Sequence, residues 1–93
     1  MTENSLFAGV GVAIVTLFDE RGDLDAPATA DLAGQLVEEG ARAVVVAGST
    51  GEAATLDLRE RVALLTAVRE AVPGHVPVLA GTGAPSARQA AAL

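Results

Sequence analysis

The 93-residue chain carries a formal charge of −6; its six basic residues are all arginine, and it has one histidine and no cysteine. That balance excludes disulfides and Cys-based metal sites, and it argues against zinc, nucleic acid or an anionic membrane as a partner. Hydrophobic residues make up 51%, but twenty of them are alanine and only two are phenylalanine, so an isolated core is short of bulk.

No apolar run approaches the ~20 residues of a membrane span. Met1-Thr2-Glu3-Asn4 lacks the basic start and apolar core of a secretory signal. The expected location is the cytoplasm.

Gly9-Val10-Gly11-Val12-Ala13-Ile14-Val15-Thr16 reads as a first strand over about 10–16. Asp19-Glu20-Arg21-Gly22-Asp23 is a turn. Its acids lack EF-hand spacing, so a solvated loop is expected rather than a cation site. Asp25 caps a helix over about 26–39, with Pro27 in its first turn and Gly40 beyond its end. Leu32, Ala33, Leu36 and Val37 form its apolar stripe; Asp31, Gln35 and Glu38 lie opposite.

Val44-Val45-Val46-Ala47 is a strand signal of small apolar residues over about 43–47, suited to burial on both faces. It breaks at Gly48-Ser49-Thr50-Gly51. Glycines let a ligand approach the main chain, consecutive N–H groups can cradle an anion, and two hydroxyls add donors. This is a candidate carboxylate- or phosphate-binding turn.

Asp57 and Glu60 have capping-box spacing and open a helix over about 58–72. Leu58, Val62, Leu65, Val68 and Val72 mark its expected buried face. Pro73-Gly74 ends it. A third strand over about 76–80 runs into Gly81-Thr82-Gly83, and Ser86 with Gln89 caps a third helix over about 87–93. Strand centres near 13, 45 and 78 recur about every 32 residues. That suits the ~31-residue unit of a (β/α)₈ barrel of ~250 residues, although a doubly wound sheet allows it too.

From Ala43 to Glu60 the chain has a small residue, two aliphatics, Gly-Ser-Thr-Gly-Glu, another small residue and, further on, an acid. This resembles the signature of the dihydrodipicolinate synthase / N-acetylneuraminate lyase family of pyruvate-dependent aldolases. Gly11 to Thr16 and Val76 to Gly83 resemble that family's first and third strands in order and spacing. Leu17 departs from it, since the family commonly has proline there.

The resemblance implies an α/β fold. Residues 1–93 would be the N-terminal three βα units of a single (β/α)₈ TIM-barrel domain about three times as long. It implies a lyase in which a lysine on a later strand forms a Schiff base with pyruvate and a tyrosine shuttles protons. It implies no cofactor, a small aldehyde as second substrate, and a homo-oligomer, tetramer or dimer. Ser49 and Thr50 would bind the pyruvate carboxylate, and Ser49 is also a candidate for the proton relay. Gly48, Gly51 and Thr82 are candidate pocket lining.

The chain has no lysine and no tyrosine, and arginine cannot act as the amine because it does not deprotonate. By itself it is therefore expected to be inactive and to give no borohydride-trappable pyruvate adduct. It is also expected to fold poorly alone, with the strands carrying Val12, Ile14, Val44, Val46, Val76 and Val78 left half covered.

A synthase acting on pyruvate and an aldehyde such as aspartate semialdehyde is the leading expectation. N-acetylneuraminate lyase or another 2-keto-3-deoxy sugar acid aldolase is the first alternative. A doubly wound nucleotide-binding domain using the Gly81 turn is the second, and a non-catalytic fragment the third. Glu52 is expected to act structurally through hydrogen bonds, because a carboxylate repels a bound carboxylate. His75 falls at the entry to the third strand, away from the chemistry. Leu58, Arg61 and Pro85 stand where lysine-inhibited synthases carry two histidines and an asparagine.

Overall fold

The computed structural model describes residues 9–48, 50–83 and 86–92. In chain order it forms β1 (Gly11–Ala13), α1 (Ala26–Glu38), β2 (Ala43–Val46), α2 (Leu58–Ala71), β3 (Val78–Ala80) and α3 (Ala87–Ala91), with a 3₁₀ turn at Ala53–Thr55. The strands are parallel in the order β1-β2-β3; Val12, Val44 and Val78 share one level, and Ala13, Val45 and Leu79 the next. Pairing reaches past the strand ends. Arg42 N–H donates to Val10 C=O at 2.8 Å, Ile14 N–H to Val45 C=O at 3.1 Å, and Val44 N–H to Pro77 C=O at 3.1 Å. The paired segments are still shorter than the 10–16 and 76–80 read from side-chain pattern.

The β-α-β crossovers leave α1 and α2 packed against each other on one face of the sheet. Strand alternation turns Val12, Ile14, Val44, Val46 and Val78 to that face. Ile14, Val44, Val46 and Val76 are buried there with Ala30, Ala33, Leu64 and Val68, and Val12 and Val78 pack against the cluster. The helices cover these six side chains, so the half of each strand left uncovered is the opposite face. The bare face carries Gly11, Ala13 and Val15, all exposed, and the half-buried Val45 and Leu79. A closed barrel turns that face inward.

Local chemistry sets the helix ends. Asp25 Oδ1 accepts from the Ala28 N–H at 3.0 Å, and Pro27 sits in the first turn, where a missing N–H is harmless. At the other end Gly40, at φ +118°, donates to Val37 C=O while Ala41 donates to Leu36 C=O. This is a Schellman closure, and it needs the positive φ that glycine adopts freely.

Thr29 is fully buried. Its Oγ1 accepts from the Leu17 N–H at 3.0 Å and donates to Asp25 C=O at 2.9 Å. A proline at position 17 has no such N–H, so Leu17 and Thr29 form a matched pair.

The acidic turn is held by Asp19 Oδ1, which accepts from the N–H groups of Arg21 and Asp23. Among the described residues no group of three or more potential metal ligands occurs.

Asp57 and Glu60 form a reciprocal capping box at 2.7 and 3.0 Å. The buried face of α2 keeps the expected Val68 and Val72, with Leu65 half-buried against the core, but not the expected Leu58 and Val62. It is Arg61, Leu64 and Val68, continued by Val72, whereas Leu58 and Val62 are 59% and 55% exposed. The reason is the position of α1. It approaches α2 at its far end, where a Cβ on Gly34 would lie 3.7 Å from the Ala71 carbonyl oxygen. Val62 is nine residues before Ala71, half a revolution round the helix at ~100° per residue, and so faces away from α1.

Candidate functional site at the strand ends

All three strands point the same way, so their C-terminal ends meet on one edge. Thr16, the Gly48–Gly51 turn and the Gly81–Gly83 turn gather there. Thr16 is buried, and its Oγ1 donates a 2.6 Å hydrogen bond to Gly51 C=O. Ala53 N–H donates to Gly48 C=O at 3.2 Å and closes the turn.

Two non-glycine residues, Ala47 and Glu52, adopt φ of +57° on either side of that turn. Left-handed backbone costs an L-residue roughly 1–2 kcal/mol, so the surrounding contacts must hold both residues in place.

Two glycines are required by close approach. A Cβ on Gly81 would lie 2.2 Å from the Ala47 carbonyl oxygen. A Cβ on Gly51 would lie 3.0 Å from both the Ile14 carbonyl oxygen and Thr16 Oγ1. The turns after β2 and β3 are thus in main-chain contact, and the first also rests on the end of β1.

Beneath them lies Arg61, 9% exposed. Its guanidinium donates to Ala53 C=O through Nη2 at 2.6 Å, to Gly81 C=O through Nη1 at 3.3 Å and to Leu56 C=O through Nε at 3.4 Å. None of these partners is a carboxylate.

Of the residues singled out from sequence, Thr50 is exposed beside Gly51, Gly48 is half-buried and Gly51 buried, and Thr82 is exposed after Gly81. Ser49 lies outside the described residues, as do Ala84, Pro85 and Leu93. Glu52 is exposed, and its carbonyl accepts from the N–H and the hydroxyl of Thr55 at 2.9 and 2.8 Å. Both bonds belong to its main chain; among the described residues the carboxylate makes no cap hydrogen bond, so the role expected of that side chain is not seen. His75 is exposed at the entry to β3, on the opposite edge of the sheet.

Thr16 did not stand out as a site residue in the sequence, and Arg61 only as a position where lysine-inhibited synthases carry a histidine, yet each carries a further signal. Thr16 has the same strand parity as Val12 and Ile14, which turns it inward. Arg61 precedes Leu64 by three and Val68 by seven, so it is a charge on an apolar stripe.

A model of the dihydrodipicolinate synthetase family matches residues 6–93. The 4-hydroxy-tetrahydrodipicolinate synthase of Pseudomonas aeruginosa is 47% identical over 88 residues, which is 95% of this chain and 30% of that protein. Among solved structures, a dihydrodipicolinate synthase from Bacillus anthracis superposes with a TM-score of 0.82 at 40% identity, over 90% of this chain and 29% of its own. A prophage protein of the same family from E. coli K12, solved in complex with pyruvate, gives 0.79 at 37% identity over 92% of this chain and 29% of its own. The chain spans about 30% of the length of the curated relatives it matches. Its three βα units are units of the (β/α)₈ barrel of these neighbours, which sets aside the doubly wound nucleotide-binding fold.

Proposed function

The chain belongs to the dihydrodipicolinate synthetase family, and we propose that it is the N-terminal part of a pyruvate-dependent Schiff-base lyase, to which it contributes the carboxylate-binding turn. The synthase reaction, pyruvate plus an aldehyde such as aspartate semialdehyde, is favoured over N-acetylneuraminate or other sugar-acid aldol cleavage by the 47% identity to a synthase. The observation that carries the reading is the Gly48–Gly51 turn at the C-terminal end of the middle strand. It is held by Thr16, from the segment after β1, and touched by Gly81 after β3. In (β/α)₈ enzymes substrates bind at that edge of the barrel.

The chemistry divides cleanly. An unprotonated lysine amine, outside these 93 residues, attacks the keto carbon of pyruvate; with uptake of one proton, the keto oxygen leaves as water and a protonated imine remains. Loss of a methyl proton gives an enamine whose carbon adds to the aldehyde. Throughout, the carboxylate must be held so that the keto carbon faces the amine. Ser49 and Thr50 supply donors for this, by hydroxyl and by main-chain N–H, and donors held ready in a turn need no reorganisation at the moment of reaction. By the family resemblance, Ser49 is also the candidate to pass a proton. Gly48, Gly51 and Thr82 line the pocket.

The whole protein acts in the cytoplasm as a dimer or tetramer, without cofactor or nucleic acid. Among the described residues no helix is long and apolar enough to cross a membrane. Incubating the full-length protein with pyruvate and borohydride tests the reading. A covalent adduct on a lysine beyond residue 93 is expected, and its absence would falsify the Schiff-base assignment.

A further inference from the structure

Among the described residues Arg61 is the only buried charged side chain, and the reaction outlined above assigns it no task. Burying a guanidinium is costly unless its N–H groups find acceptors. Here the acceptors come from two separate turns. Ala53 and Leu56 follow the Gly48–Gly51 turn, and Gly81 follows β3, 20 residues further along the chain than Arg61. A planar fork with donors at fixed angles suits such bridging in a way that a single ammonium does not.

Gly81 is also the residue whose α-carbon lies against the Ala47 carbonyl, next to the left-handed Ala47 backbone that starts the turn. Any slackening at Gly81 therefore reaches the main chain that the substrate would meet.

We infer that Arg61 is a positioning residue. By spanning the carbonyls of Ala53 and Leu56 on one side and Gly81 on the other, it sets the spacing of the β2 and β3 turns, and so aims the donors of the Gly48–Gly51 turn before the keto acid arrives. This rests on that turn being the carboxylate site. A residue with this role acts on substrate binding more than on bond making, and it does so through geometry, so its charge alone does not replace it.

The test uses the full-length protein, with Arg61→Met, Arg61→Lys and, as a probe of the site itself, Thr50→Val. Steady-state rates against pyruvate and thermal melts are measured for each. Arg61→Met is expected to raise the KM for pyruvate about tenfold while kcat falls less than threefold. Arg61→Lys, which keeps the charge but cannot span both turns, is expected to rise about threefold. Thr50→Val is expected to weaken pyruvate use as well.

An unchanged KM in Arg61→Met, with Thr50→Val impaired, overturns the positioning role and leaves the carboxylate site standing. A lowered melting temperature with unchanged KM does the same, because it marks a purely structural brace. If Arg61→Met does not fold, Arg61→Lys decides, and a wild-type KM there overturns the inference. If Thr50→Val is wild-type as well, the carboxylate site itself is wrong and the inference falls with it.

Discussion

Thr16 Oγ1 donates a buried 2.6 Å hydrogen bond to the carbonyl of Gly51, 35 residues away in sequence. It joins the segment after β1 to the turn after β2 and satisfies the carbonyl of Gly51, itself a buried residue. Thr16→Val keeps the shape and strands that carbonyl. A loss of about 1–3 kcal/mol is expected for an unsatisfied buried acceptor, read as a lower urea midpoint of the full-length protein at unchanged m-value. A midpoint within error of wild type would show the bond to be dispensable.

The glycines divide into those that space requires and those that it does not. Gly81→Ala sets a Cβ 2.2 Å from backbone oxygen, so one of the two turns must move. Gly74 has nothing within 4 Å. Gly81→Ala is expected to cost at least ~2 kcal/mol, at the high end for single substitutions, while Gly74→Ala stays within about 0.5 kcal/mol. Equal melting temperatures for the two variants would contradict the close approach of Gly81 to Ala47.

Ser49→Ala and Thr50→Val each remove one donor to a charged group, a loss of about 1.5–3 kcal/mol. In the full-length protein both are expected to reduce kcat/KM for pyruvate by roughly 10- to 150-fold. Where the two differ, Ser49→Ala should lower turnover more, since it is also the proton-relay candidate. Wild-type rates in both would remove the carboxylate role from this turn.

Leu17 and Thr29 should behave as a coupled pair. Leu17→Pro deletes the N–H that Thr29 Oγ1 accepts, and Thr29→Val deletes the acceptor. Each single change is expected to cost about 1 kcal/mol, and the double change less than the sum. A double-mutant cycle in urea measures this; strict additivity would mean that the contact contributes nothing.

The 93-residue polypeptide expressed by itself is expected to self-associate or melt without a sharp transition. Its helix-side core is covered, so the cause is not exposed valines on that face. What it lacks is a partner for the face of Ala13, Val15, Val45 and Leu79 and for the free edges of β1 and β3. A monomer with a cooperative melt would show that three units suffice. With no lysine present, no side-chain adduct with pyruvate is expected under borohydride.

The features legible in the amino-acid order are those whose partners lie within a few residues. Asp25 with Ala28, Asp57 with Glu60, and Ser86 with Gln89 are all caps spanning three positions, and each helix begins where its cap residue stands. The turn at Gly48–Gly51 belongs with them, because glycine spacing and hydroxyls are local chemistry.

What the tertiary structure alone decided depends on contacts at long range. The hydropathy of α2 nominates Leu58 and Val62, yet α1 packs on the other flank and leaves both exposed. Arg61 is polar by any scale, and only carbonyls brought up by the turns on either side make its burial possible. Thr16 looks ordinary in sequence and Gly81 reads only as part of a turn; they matter because parallel pairing carries Gly51 to the one and Ala47 to the other. Hydrophobic periodicity records which residues can be buried. Which of them are buried, and which polar groups join them, is set by the neighbouring elements, and those neighbours arrive only when the sheet forms.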